Sequence, residues 1–147
     1  MTPIDRFHLQ MKQSGDRSRA ELILDAKLTG HTVSGVVLEQ QFAVKLGYLL
    51  LTTDDCPFEE CLHAILLDFN LHQIDQVDLI HPYTPGLFSD MQLISDESIT
   101  FSFFGKDRWQ LSIYDKPRFQ ILAPFSSVRY QGFILKRHYL NLTERPA

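Results

Sequence analysis

The chain has 147 residues, 44% of them hydrophobic and 22% charged, with seven Gly and seven Pro. A chain of this size and composition builds a single domain over residues 1–147 with a core of its own, neither a disordered tail nor a fibrous repeat. Its formal charge of −4 disfavours a general nucleic-acid binder, which needs a net basic surface to displace counterions.

Residues 1–19 read as a peripheral lead. Phe7, Leu9 and Met11 alternate with polar residues as in a short strand, and Ser14-Gly15-Asp16-Arg17-Ser18 reads as a turn. Residues 21–29 read as a half-buried strand, with Leu22, Leu24, Ala26 and Leu28 on one face and Asp25, Lys27 and Thr29 on the other. Gly30-His31 then makes a tight connection to a returning strand over 32–38, rich in β-branched residues. The next strand is placed over 42–52. Phe42, Val44, Leu46, Tyr48 and Leu50 share a face, and Leu49 and Leu51 opposite them predict a second half covered on both sides. Residues 53–57 break that strand, because Pro57 cannot donate to a ladder and Asp54 and Asp55 suit side-chain to backbone bonds.

Residues 58–80 admit two readings. Phe58, Cys61, Leu62, Ile65, Leu66 and Phe69 recur at helical spacing behind Pro57, Glu59 and Glu60, which gives a helix within 57–75 and an α+β fold. Asp68-Phe69-Asn70 between two apolar runs gives a hairpin instead, with strands over 61–67 and 71–80. The hairpin is preferred, and it sets His63 nearly opposite Gln76. A loop over 81–86, with a turn at Pro85-Gly86, leads to a short strand over 87–94. The strongest local signal is the hairpin over 99–114: Ile99, Phe101 and Phe103 alternate with polar residues, Gly105-Lys106-Asp107 turns the chain, and Trp109, Leu111 and Ile113 alternate again. Asp115-Lys116-Pro117 should end it. A short run over 119–122 closes at Pro124, residues 127–131 and 133–140 should pair around Gly132, and residues 141–147 should fray. The sum is an all-β domain, an antiparallel β-sandwich or partly closed barrel of about eight to ten strands.

Charge is distributed unevenly. Between Lys45 and Lys106 there is no Lys or Arg, while ten acids fall there: Asp54, Asp55, Glu59, Glu60, Asp68, Asp75, Asp78, Asp90, Asp96 and Glu97. Residues 106–147 carry a net charge of +5. One reading pairs the central acids with bases from the two ends. The functional reading gathers Asp54, Asp55, Glu59, Glu60, Asp75, Asp78, Asp96 and Glu97 on a surface that steers a protein partner, itself basic. The basic and aromatic runs at Lys106, Arg108 and Trp109, and at residues 129–139, read as solvated strand ends around core aromatics. They would also complement the acidic stretch of a second copy in a homodimer.

No chemistry-bearing motif stands out. The sequence has no Gly-x-Gly-x-x-Gly, no phosphate loop and no Gly-x-Ser-x-Gly. Cys56 and Cys61 lie five apart with no second pair, which does not match a zinc knuckle. The six histidines show no ligand spacing, and a Cys61/His63 dyad shares a strand face without a third residue to orient it. Asp54-Asp55 with Glu59-Glu60 could offer oxygen ligands, but not at the alternating positions of a calcium loop. No cofactor and no metal are therefore expected. The absence of a signal-peptide pattern or an apolar run near twenty residues points to the cytoplasm and away from the membrane. The expected role is a non-catalytic interaction protein; the alternatives are a small-molecule-binding β-barrel and an unrecognised hydrolase.

Overall fold

A computed structural model describes residues 1–11, 19–56, 58–120, 126–132 and 136–145. The chain is all-β, three antiparallel sheets packed together as a sandwich. The central sheet has six strands: β1 (Thr2–Pro3), β5 (Val37–Val44), β6 (Gly47–Thr53), β7 (Cys61–Asp68), β8 (Gln73–Ile80) and β12 (Val128–Tyr130), in that spatial order. A three-stranded sheet joins β2 (Phe7–Met11), β3 (Arg19–Leu24) and β4 (Lys27–Ser34). A four-stranded sheet runs β13 (His138–Arg145), β11 (Arg108–Arg118), β10 (Ser98–Ser102) and β9 (Ser89–Ser95). Among the described residues these sheets do not close into a barrel.

The central sheet is covered on both faces, and its sequence shows why. Every residue of β6 is buried, as are all but the last of β7. Strand periodicity sends Leu49, Leu51, Leu62, Ala64 and Leu66 into a large core with Ile99, Phe101, Trp109 and Leu111 of the four-stranded sheet. It sends Tyr48, Leu50, Ile65 and Leu67 the other way, against Phe7, Leu22 and Val33 of the three-stranded sheet. A strand with two covered faces reads as a continuous apolar run, as residues 48–51 do. Each such leucine contributes about 1.5–3 kcal/mol by leaving water.

The 61–80 hairpin forms, so the helix alternative falls. Asp68 Oδ1 accepts the amides of Asn70 and His72, holding the turn from which β8 departs. The 99–114 hairpin also forms, with Phe101 opposite Trp109 and Ile99 opposite Leu111. Elsewhere the boundaries shift. The strand expected over 21–29 turns at Asp25-Ala26, both at positive φ, and Gly30 and His31 lie inside β4. Arg6 fixes that turn, donating from Nε and Nη2 to the two Asp25 carboxylate oxygens at 3.0 and 2.7 Å. The strand expected over 42–52 is two strands joined at Lys45-Leu46, so Phe42 and Tyr48 face opposite cores.

The ends are integral. β1 pairs with β5, and Phe7 of the supposed lead is fully buried. β13 carries through residues 141–145 of the stretch expected to fray, pairing Arg145 with Arg108, and β11 runs past Pro117 to Arg118. β12 and β13 do not pair with each other; β12 joins β8, and β13 joins β11. The turn expected over 14–18, the second half of the 119–122 run and Pro124, and Phe133 with Leu135 lie outside the described residues. Thirteen strands form among the described residues, more than the eight to ten expected, because the expected runs split at Asp25-Ala26, at Gly35-Val36 within 32–38, and at Lys45-Leu46, and because β1 adds a strand at the start.

Candidate functional site

The most chemically loaded place in the molecule is His63, on the β7 face that points to the smaller core. Cross-strand pairing puts it opposite Asp78, two residues beyond the expected Gln76, which instead pairs with Ile65. Both ring nitrogens meet a carboxylate: Nε2 lies 2.7 Å from Asp54 Oδ1, and Nδ1 lies 2.7 Å from Asp78 Oδ1. Gln76 Nε2 donates to the same Asp78 oxygen at 2.8 Å. Cys61 Sγ lies 3.8 Å from His63 Nδ1. The His63 side chain is only 10% exposed, against 25% for Asp54 and 18% for Asp78.

Carboxylate oxygens only accept, so an imidazole held between two of them donates from both nitrogens and is cationic. Burial works against that charge, but the hydrogen bonds to Asp54 and Asp78 outweigh it and push the His63 pKa up to about 12. Burial pushes the Cys61 thiol up, against an opposing pull from His63. An imidazolium with both N–H groups engaged has no lone pair with which to take a proton from sulfur. The Cys61/His63 pair, arranged this way, is not an activated nucleophile. The orienting residues that sequence did not indicate are present, but they clamp the ring rather than leave one nitrogen to the thiol. Gln76 is drawn into the same arrangement: turning its NH2 to Asp78 leaves its buried Oε1 without a partner.

The clamp anchors the loop over 54–60, and a second carboxylate closes that loop. Glu60 Oε1 accepts the amides of Asp54 at 2.6 Å and Cys61 at 3.2 Å, and Oε2 accepts the amide of Cys56 at 2.9 Å. With its oxygens so engaged, Glu60 is a structural hub rather than an oxygen ligand for calcium. Asp55, held at φ 56°, projects outward beside it. This loop walls a cleft of about 180 Å³ lined by Val37, Glu39, Thr53, Asp55 and Glu60 on one side and Gly86, Leu87 and Phe88 on the other. The far rim is fixed too. Leu87 N donates to Phe103 O at 2.8 Å, and Gly86 lies so close to the Phe103 ring that a Cβ would stand 2.5 Å from Cζ. Leu87 is 75% exposed at the mouth.

The eight acidic residues expected to form one surface are distributed otherwise. Asp75 and Glu60 are buried at 1% and 7% exposure and turn their carboxylates inward. Asp54 and Asp78 are spent on His63. Asp55 is exposed beside the cleft and Glu59 partly so on the same loop. Asp96 and Glu97 are exposed by the β5–β6 turn, at the opposite end of β6, around a smaller depression with Val44, Lys45 and Leu46. Nor, among the described residues, do bases from the chain ends pair with the central acids. Among the described residues none of those ten carboxylates forms an ion pair with Lys or Arg; four are met by histidines instead, Asp54 and Asp78 by His63, Asp68 by His72 and Asp75 by His138. The basic and aromatic runs are likewise no stacking platform at Trp109, which is only 5% exposed.

What sequence reading missed was the histidine as a hub. The available signal was the joint parity of Cys61 and His63 on one strand with Gln76 and Asp78 on the next, and it was obscured by a register error of two residues. No family model, no curated protein and no solved structure matches the chain.

Proposed function

We propose that this chain is a non-catalytic interaction protein and that the cleft between the 54–60 loop and residues 86–88 receives a basic side chain from a protein partner. The observation that carries this reading is the lining itself. Glu39 and Asp55 stand beside apolar Val37, Leu87 and Phe88, and the described lining holds no Lys or Arg. An arginine or lysine brings an apolar stem and a cationic head, which suits a cleft with both kinds of wall. Partly exposed Glu59 on the same loop adds to the local negative field, which speeds the approach of a basic partner and disfavours an acidic one. Because Glu60 and the His63 clamp hold the loop in place, little ordering cost falls on binding.

The two alternatives have less to stand on. A small-molecule-binding barrel needs a lumen, and the described sheets do not close into one. A hydrolase built on Cys61 and His63 needs a basic nitrogen that the two aspartates occupy. An array of short peptides, each with an Arg or Lys flanked by apolar residues, tests the proposal against matched acidic and neutral arrays. Basic peptides should be retained selectively, with affinity falling as salt rises. The double variant Glu39→Gln/Asp55→Asn should weaken them about tenfold, or about 1.4 kcal/mol. Equal retention of acidic peptides, or an affinity flat in salt, overturns the reading.

A further inference from the structure

Asp54 from the loop and Cys61 and His63 from β7 come together so that one ligand atom from each lies within 4.8 Å of the others. We propose that these three residues form a binding site for a transition-metal dication of the zinc type, with His63 ligating through Nε2 and a fourth position open toward solvent on the Asp54 side.

The donor set selects the metal class. A thiolate and an imidazole exclude calcium and magnesium, which take oxygen ligands, and suit zinc or cobalt, which accept sulfur, nitrogen and one carboxylate oxygen in tetrahedral sites. The surroundings are those of a ligating histidine. Nδ1, on the far side of the ring from Asp54, is held by Asp78, and Asp78 is held in turn by Gln76. A carboxylate on the non-ligating nitrogen fixes the ring and makes the other nitrogen a better donor. To admit an ion at Nε2, the Asp54–His63 contact of 2.7 Å must widen by about half an ångström, as ligands about 2 Å from a shared tetrahedral centre require, and Cys61 Sγ must turn toward Nε2 from its place 3.8 Å from Nδ1. Asp54 is one quarter exposed and at the start of a loop, so its side chain can turn. Binding balances simply: the metal enters, the proton on His63 Nε2 and the thiol proton of Cys61 leave to solvent, and no bond is oxidised or reduced. The same negative pocket that stabilises a proton on His63 stabilises a dication. The metal site stands whether or not the neighbouring cleft takes a partner.

Titration of the chelator-treated full chain with Co2+ tests it. A thiolate-to-cobalt charge-transfer band should grow to one equivalent, be displaced by Zn2+, vanish in Cys61→Ser and persist in Cys56→Ser, which removes the exposed thiol. Asp54→Asn, which leaves both cysteines and the histidine in place, should keep the band and weaken binding at least tenfold, and it decides the matter should Cys61→Ser not fold. A wild-type protein that gives no such band, a band that survives Cys61→Ser, or Asp54→Asn binding as tightly as wild type overturns the site.

Discussion

Asp75 and His138 are joined 2.8 Å apart across 63 positions of sequence, from β8 of the central sheet to β13 of the sheet that covers it. The Asp75 side chain is fully buried, and its second oxygen accepts the amides of Tyr139 and Leu140 at 2.9 and 3.1 Å. One carboxylate thus receives two backbone amides at the start of the last strand as well as its histidine. The amide of Gln76 also donates to Asp75 Oδ1 at 2.9 Å, so Asp75→Ala strands four donors in the interior. It should cost about 3–5 kcal/mol in urea unfolding, with amide-exchange protection lost first in β13. Asp75→Asn, which keeps one acceptor oxygen, should cost less.

His63 makes the opposite arrangement, one cation between two carboxylates. With a chelator present, His63→Leu leaves Asp54 and Asp78 facing each other without it and should cost about 2–4 kcal/mol. Replacing both acids as well, in His63→Leu/Asp54→Asn/Asp78→Asn, removes the repulsion and should recover at least about 1 kcal/mol of that loss. A triple variant no more stable than the single one would show that shape, not charge, matters at this place. Circular-dichroism melts on the two variants suffice.

The extent to which this molecule was legible in its sequence follows from the range of the forces involved. The hairpins over 61–80 and 99–114 were legible because their turns and their alternation lie within a few residues of each other. So was the double burial of residues 48–51, since an unbroken apolar run has no face to spare for water. The Asp25-Ala26 and Lys45-Leu46 turns were not, because nothing in the apolar pattern on either side marks the reversal. The site suffered most. Whether Asp75 and Glu60 face water or backbone amides is decided by β13 and by the 54–60 loop, which no local pattern describes. Strand parity did place Cys61 with His63, but a register error of two residues hid Asp78.

Burial pushes the Tyr130 phenol above its ordinary value of 10.0; the amide of Leu142, which donates to the Tyr130 oxygen at 3.0 Å, pulls the other way, and the nearby Asp75 adds to the rise. The folded chain therefore holds the phenolic proton more tightly than the unfolded chain. The contribution to stability is whole below pH 10 and is lost as pH rises through the higher folded value. Tyr130→Phe should flatten the alkaline fall in stability relative to wild type. At neutral pH it should cost about 1 kcal/mol, because Leu142 N–H loses its acceptor. Denaturant midpoints for both proteins from pH 8 upward, compared at each pH, isolate this residue from the other four tyrosines.

Gly47 opens β6 at φ 153°, where a Cβ would stand 2.1 Å from Leu67 O and 2.7 Å from the Asp68 carbonyl carbon. Both neighbours are backbone of β7, paired to it in register, so neither can step aside without breaking the centre of the six-stranded sheet. Gly47→Ala should therefore cost about 3 kcal/mol or more, from the strained backbone together with the clash. Gly105, at φ 95° with open space around its Cβ position, provides the control. Gly105→Ala meets only the backbone term and should cost about 1 kcal/mol. Equal losses at the two positions would mean that β6 and β7 lie farther apart than the pairing of Gly47 with Asp68 implies.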